Sequence, residues 1–183
     1  MIFFIPIFRL ATYPDGPTWT KPTIYDPIDW TNFLDSLDWP TKNRYIIVYN
    51  EPNRANEWGG EVNPNEYSQQ LFWTIDELKK RSDKFFVLPA GLDASVPDST
   101  NSMEEYSFMQ AMNNSQPGIF SKIDAWNSHS YPNPAYSSSP SYSGKNGILS
   151  YQWEINFMQN YFGVYGLKVF ITETGWDISR LGE

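Results

Sequence analysis

Tyr45-Ile46-Ile47-Val48-Tyr49-Asn50-Glu51-Pro52-Asn53 runs from apolar residues into a carboxylate. Two isoleucines and a valine in succession predict a β-strand buried on both faces, as in a parallel sheet covered by helices. Pro52 has no backbone N–H and stops the ladder. A glutamate at such a strand end, beside an amide side chain, is held rigidly with its carboxyl clear of the core. The arrangement recurs downstream, where Lys168-Val169-Phe170-Ile171-Thr172-Glu173-Thr174-Gly175-Trp176 again runs from an apolar stretch into a glutamate. Two strand-end carboxylates predict a paired acid/base site.

Outward from these two strands, the chain alternates apolar runs with amphipathic stretches. Ile2–Leu10 predicts a strand with Arg9 at its end, and Tyr13–Thr23 a turn-rich loop. Asp26-Pro27-Ile28-Asp29 predicts a helix start with Asp26 as N-cap, and Trp30, Phe33, Leu34 and Leu37 recur at helical spacing before Pro40. Asn63-Pro64-Asn65-Glu66 predicts a capping box. The helix it opens has the stripe Tyr67, Leu71, Ile75 and Leu78, and Lys79-Lys80-Arg81 suits the negative end of its dipole. Lys84–Ala90 and Ile123–Ser130 are further apolar segments. Helices are expected at Met103–Met112 and Ile148–Phe162, the latter closed by Gly163. Pro132–Gly147, dense in Ser, Pro, Tyr and Gly, reads as a rim or lid loop because periodicity resumes at once.

The expectation is an α/β fold with five parallel strands near residues 2–8, 45–50, 85–90, 123–129 and 168–173 and helices outside. Spacing of roughly 40 residues suits βα units of a (β/α)₈ barrel with enlarged C-terminal loops. An open doubly wound sheet is the alternative, although no GxGxxG or P-loop pattern supports nucleotide binding.

Composition narrows the function. The 183 residues fit one domain. A net charge of −8 argues against nucleic acid or an anionic membrane as partner. No segment approaches the ~20 apolar residues of a membrane span. Ile2–Phe8 lacks a basic n-region and contains Pro6, so it reads as a strand rather than a signal peptide, and cellular location stays open. Without cysteine there is no thiolate chemistry, and a single histidine argues against a metal-dependent barrel hydrolase. No cofactor is implied. The 8 Trp, 12 Tyr and 12 Phe suit either a large aromatic core or a groove that stacks on sugar faces.

Parallel strands put their ends on one rim, so Glu51 and Glu173 are expected to share a face, where glycoside hydrolysis needs two carboxyls across the scissile bond. Asn50-Glu51-Pro52, His129-Ser130-Tyr131 and Glu173-Thr174-Gly175-Trp176, in this order and spacing, resemble the large clan of retaining glycoside hydrolases built on a (β/α)₈ barrel. That resemblance implies an acid/base at Glu51 ending strand 4 and a nucleophile at Glu173 ending strand 7. It further implies that Asn50 meets the sugar 2-hydroxyl, Tyr131 steadies the nucleophile, and His129 tunes the site or binds substrate. Core packing is the competing reading for Tyr131 and His129. Trp58 and Trp176 are sugar-stacking candidates, with rim packing as the alternative. Arg9 is placed to hydrogen-bond the nucleophile or substrate, or else lies on the surface.

Counted back from Glu51, the first strand corresponds to strand 3 of the clan. Strands 3 to 7 are then present and strands 1, 2 and 8 are not, so the expectation for residues 1–183 is a single, incomplete barrel domain, an internal fragment of a longer enzyme. The partner implied is a carbohydrate. A catalytically silent carbohydrate-binding barrel and an inactive fragment are the alternatives to the enzyme.

Overall fold

The structure, a computed structural model, describes residues 4–177 and 179. Along the chain run β1 (Ile7–Arg9), a ribbon of β2 (Pro14–Asp15) and β3 (Thr18–Trp19), α1 (Asp26–Asp35), β4 (Arg44–Val48), α2 (Pro64–Arg81), β5 (Phe85–Pro89), α3 (Glu105–Ser115), β6 (Ala125–His129), α4 (Ser150–Phe162) and β7 (Lys168–Glu173).

β1, β4 and β5 form one parallel sheet in that order, and β6 and β7 form a second parallel pair. A bridge between Asp93 and His129, and the bond from the Asp124 N–H to the Val87 carbonyl (3.0 Å), join β5 to β6. Spatial order therefore follows chain order without the reversal that marks a doubly wound sheet. The surface also curves. Tyr45 of β4 touches Phe86 of β5 (ring centroids 5.2 Å apart) and reaches Phe170 of β7 (5.7 Å) across the concave side. Ile47, Leu88 and Ala125 line the same hollow. The larger core lies on the convex side, where Ile46, Val48, Phe85 and Val87 meet Leu71, Ile75 and Leu78 of α2, Phe108 and Met112 of α3, and Phe157 and Met158 of α4. The result is a mixed α/β fold of small parallel sheets with helices on one side.

Local chemistry explains the helix ends. The Asn63 side chain accepts the Glu66 N–H (3.1 Å) and caps α2, and Gly163 closes α4 at φ 67°, a conformation that costs glycine least. The expected N-cap at Asp26 is shifted by one. Tyr25 takes that place without a side-chain bond, and Asp26 becomes the first helical residue, leaving Pro27 in the first turn. The loop after Arg9 contains the small β2–β3 ribbon, turned at Gly16 with φ 59°, which apolar periodicity does not reveal because each strand has two residues. The first strand is shorter than expected. Residues 1–3 lie outside the described residues, and pairing with β4 begins only after Pro6, which has no N–H to give.

Among the described residues, β1 and β7 have no strand on their outer sides. Ile7, Phe8 and Ile171 are exposed along these edges. A cavity of about 400 Å³ lies between them, lined by Ile7, Arg9, Ile47, Phe170 and Glu173 among others. No helix among the described residues is long and apolar enough to cross a membrane.

Candidate active site

The parallel register brings the C-terminal ends of β1, β4, β5, β6 and β7 to one rim. β4 leads into Tyr49-Asn50-Glu51, where the backbone leaves the extended region: φ is 69° at Tyr49 and 32° at Glu51, values that residues with a Cβ rarely adopt. The Glu51 N–H donates to the Gly91 carbonyl (3.1 Å), fixing the turn against the end of β5. Asn53 secures it from below: its amide donates to the Asp93 and Met103 carbonyls (3.0 and 3.1 Å) and accepts the Asp93 N–H (3.0 Å). On β7, pairing with β6 passes from Ser128–Ile171 directly to His129–Glu173. Thr172 is therefore an extra residue, a bulge that breaks the two-residue alternation and re-aims Glu173. The Thr172 hydroxyl donates to Asn127 Oδ1 (2.6 Å).

Glu51, Glu173 and His129 converge as a result. One carboxylate oxygen from each glutamate and a ring nitrogen of His129 all lie within 4.8 Å of one another. His129 Nδ1 is 2.9 Å from Glu51 Oε1 and 3.6 Å from Glu173 Oε2. One proton between Nδ1 and Glu51 Oε1 bonds the pair, whichever of the two carries it. The ring is only 3% exposed and packs against Gly91, where a Cβ would sit 2.2 Å from His129 Cδ2. Gly91→Ala is therefore expected to push the imidazole from between the carboxylates. The overpacking should cost about 1–3 kcal/mol of stability in urea unfolding, with a loss of any activity that needs the cluster.

Glu173 is held from two further sides. Arg9 Nη1 donates to Glu173 Oε1 (2.6 Å) and to Asn50 Oδ1 (2.8 Å), and Tyr131 Oη donates to Glu173 Oε2 (3.2 Å). Burial, together with the charge of Glu173 and this bond, pushes the Tyr131 phenol up to about 12, so it remains a donor at any ordinary pH. Asn50 Nδ2 donates to Glu57 Oε2 (3.2 Å). Burial raises the pKa of the Glu57 carboxyl above the usual range, against the lowering effect of the Asn50 bond. Glu51, Glu173 and His129 also have the donor types of a metal site, but Arg9 already supplies a cation at Glu173, which opposes a second one there.

The tryptophans part company. Trp176 is half-buried beside Tyr131, Tyr136 and Asp177, with its indole N–H fixed on the Ser138 carbonyl (3.0 Å). Trp58 is not available for stacking. It is 1% exposed, donates to Glu66 Oε2 (2.9 Å), and packs edge-on against Tyr49 and Tyr67 with ring centroids 5.5 Å away in each case. Its ring is sealed in the core because it sits between Tyr49, just after β4, and Tyr67 of α2.

No family model matches the sequence, and no curated protein matches it. Solved structures do match. A monomeric β-xylosidase from Caulobacter crescentus CB15 superposes with a TM-score of 0.57 at 13% identity, over 87% of this chain and 32% of that one. The GH39 enzyme from Xanthomonas axonopodis pv. citri gives 0.54 at 17% identity, over 85% and 31%. A GH39 β-xylosidase from Caulobacter crescentus gives 0.54 at 15% identity, over 86% and 31%. What is shared is the fold. The chain spans about a third of the length of these glycoside hydrolases.

Behind this rim lies a second pair of carboxyls that sequence patterning hides. Glu105 of α3 and Glu154 of α4 are each 1% exposed. Glu154 accepts from Trp126 and from the Ser128 hydroxyl (2.9 Å), and Ser128 in turn contacts Ser130 (2.8 Å). Glu105 Oε2 has no hydrogen-bond partner among the described residues. Burial first, and then the charge of Glu154, holds Glu105 well above the usual carboxyl range. Burial also raises Glu154, countered by its hydrogen bonds. The folded state therefore keeps protons that the unfolded chain releases near the ordinary carboxyl value, and stability falls as pH rises through the interval above that value. Glu105→Gln is expected to raise the unfolding midpoint more at pH 8 than at pH 4, where the wild-type carboxyl is largely protonated in both states. Equal shifts at both pH values would contradict this.

Proposed function

We propose that the chain carries the catalytic centre of a retaining glycoside hydrolase, with Glu51 as acid/base and Glu173 as nucleophile. The observation that supports it most is the close approach of the two carboxylates on one rim, where one oxygen of each lies within 4.8 Å of the other. Retaining enzymes hold their carboxyls about 5–5.5 Å apart, whereas inverting ones leave about 6.5–9.5 Å for a water. The hydrogen bonds support this division of roles. Arg9 and Tyr131 both donate to Glu173, which suits an oxygen that attacks as an anion. Glu51, seated against His129, is left to move the proton.

In this mechanism a Glu173 oxygen bonds to the anomeric carbon as the glycosidic C–O bond breaks, and Glu51 gives its proton to the departing oxygen. Glu51 then takes a proton from water, whose oxygen attacks the same carbon from the opposite side to Glu173. Glu173 leaves as carboxylate, and the sugar is released with its original configuration. Asn50, beside both groups, donates to the sugar 2-hydroxyl, a contact that strengthens as positive charge develops on the ring. Half-buried Trp176 and exposed Tyr136 form an apolar shelf next to Tyr131 on which a sugar face can rest.

β-Xylosides are the first substrates to try, because two of the similar structures are described as β-xylosidases. The test is hydrolysis of an aryl glycoside panel led by the β-xyloside, with the first-formed anomer followed by NMR. Release of the same anomer supports the proposal. The opposite anomer would mean inversion, and saturable sugar binding without turnover would mean a carbohydrate-binding barrel.

A further inference from the structure

Asn50 is planar and nearly symmetric in shape, so only its partners decide which end of the amide faces which way. Arg9 Nη1 can only donate, and it meets Oδ1 at 2.8 Å. Glu57 Oε2 accepts from Nδ2 at 3.2 Å on the other side. Glu57 is itself steadied by Asn56 Nδ2 on its second oxygen (3.3 Å) and sits on the one-turn helix Ala55–Glu57, directly after the catalytic turn. Since Arg9 also holds Glu173, an unbroken line of hydrogen bonds runs Glu57–Asn50–Arg9–Glu173. Glu57, Asn50 and Arg9 together line a cleft of about 250 Å³ with Trp19 and Tyr49.

We propose that Glu57 is a positioning residue that fixes the Asn50 amide so that its second N–H is presented to the sugar hydroxyl next to the reacting carbon. This rests on the glycosidase proposal above. An amide nitrogen has two hydrogens. Glu57 takes one, which sets the direction of the other and makes Asn50 a donor to that hydroxyl. Without Glu57, the amide is held by Arg9 alone and can rotate about the remaining bond. The nucleophile keeps its own contacts to Arg9 and Tyr131, so the loss falls on substrates that carry the hydroxyl.

The test has two readouts. In the first, the Asn50 side-chain amide signals are identified in ¹⁵N–¹H spectra by their loss in Asn50→Asp and compared between wild type and Glu57→Ala. The expected result is a shift of one amide proton in the alanine variant and recovery toward the wild-type position in Glu57→Gln, whose side-chain oxygen can still accept. In the second, kcat/KM is measured for an aryl β-xyloside and its 2-deoxy counterpart. Glu57→Ala is expected to lose about 10- to 100-fold on the first, the scale of a small misplacement in a site, and to differ little on the second. Glu57→Gln should recover part of the loss. Equal losses on both substrates, or Asn50 signals that superimpose on wild type, would overturn the inference. If the amide proton shifts but wild type cleaves no glycoside, the contact is correct and it is the glycosidase proposal that fails, taking the catalytic role of Glu57 with it.

Discussion

Glu173→Ala is expected to abolish formation of a glycosyl-enzyme and to lower kcat on aryl glycosides on the order of 10⁵-fold or more, the scale seen when a hydrolase loses its nucleophile. Removing the carboxylate leaves a gap on the rim still faced by Arg9 and Tyr131, which donate to Glu173 in the intact site. A small anion such as azide fits both the gap and its donors. Added azide should therefore restore turnover by direct attack at the anomeric carbon, giving a glycosyl azide of inverted configuration. Persistence of near-normal turnover without azide would remove Glu173 from the chemistry.

Glu51→Ala should behave differently. Proton transfer from a positioned acid contributes about 10²–10⁴-fold, and that contribution matters least when the leaving group departs readily as an anion. Substrates with good leaving groups should keep a fast first step and accumulate the glycosyl-enzyme, whereas alkyl glycosides lose the full amount. Azide acting on that intermediate attacks from the face opposite Glu173 and should give a product of retained configuration. If the two variants exchanged these behaviours, the roles of Glu51 and Glu173 would be reversed. The identity of Glu51's neighbour strengthens the contrast: His129 Nδ1 lies 2.9 Å from Glu51 and would be left facing Glu173 alone.

Much of the fold was legible because its signals are local. The apolar runs that end in Glu51 and Glu173 are strands, and parallel pairing alone carries their ends to one rim. Asn63 with Glu66 and Gly163 mark helix ends by chemistry that does not depend on the rest of the chain. Other features are set by tertiary context. Trp58, followed by two glycines, has the surroundings of an exposed ring, and only its tertiary packing between Tyr49 and Tyr67 buries it. Glu105 and Glu154 lie in amphipathic helices where a carboxyl is expected in water, yet both face inward behind β6. Glu57 carries no motif, and its contact with Asn50 exists only because the turn after Glu51 doubles back. The bulge at Thr172 is likewise invisible in a run of β-formers, although it aims Glu173, the proposed nucleophile.

The most direct test is to trap the glycosyl-enzyme. Incubation with an activated 2-deoxy-2-fluoro-β-xyloside slows both steps, but a good leaving group lets the first proceed, so a retaining enzyme stalls as the covalent adduct. Intact-mass and peptide analysis should then find one fluorosugar per chain, on the peptide that contains Glu173, and none in Glu173→Ala. A hydrolytically active chain that forms no adduct, or an adduct located on Glu51 or elsewhere, would contradict the assignment of Glu173 as nucleophile.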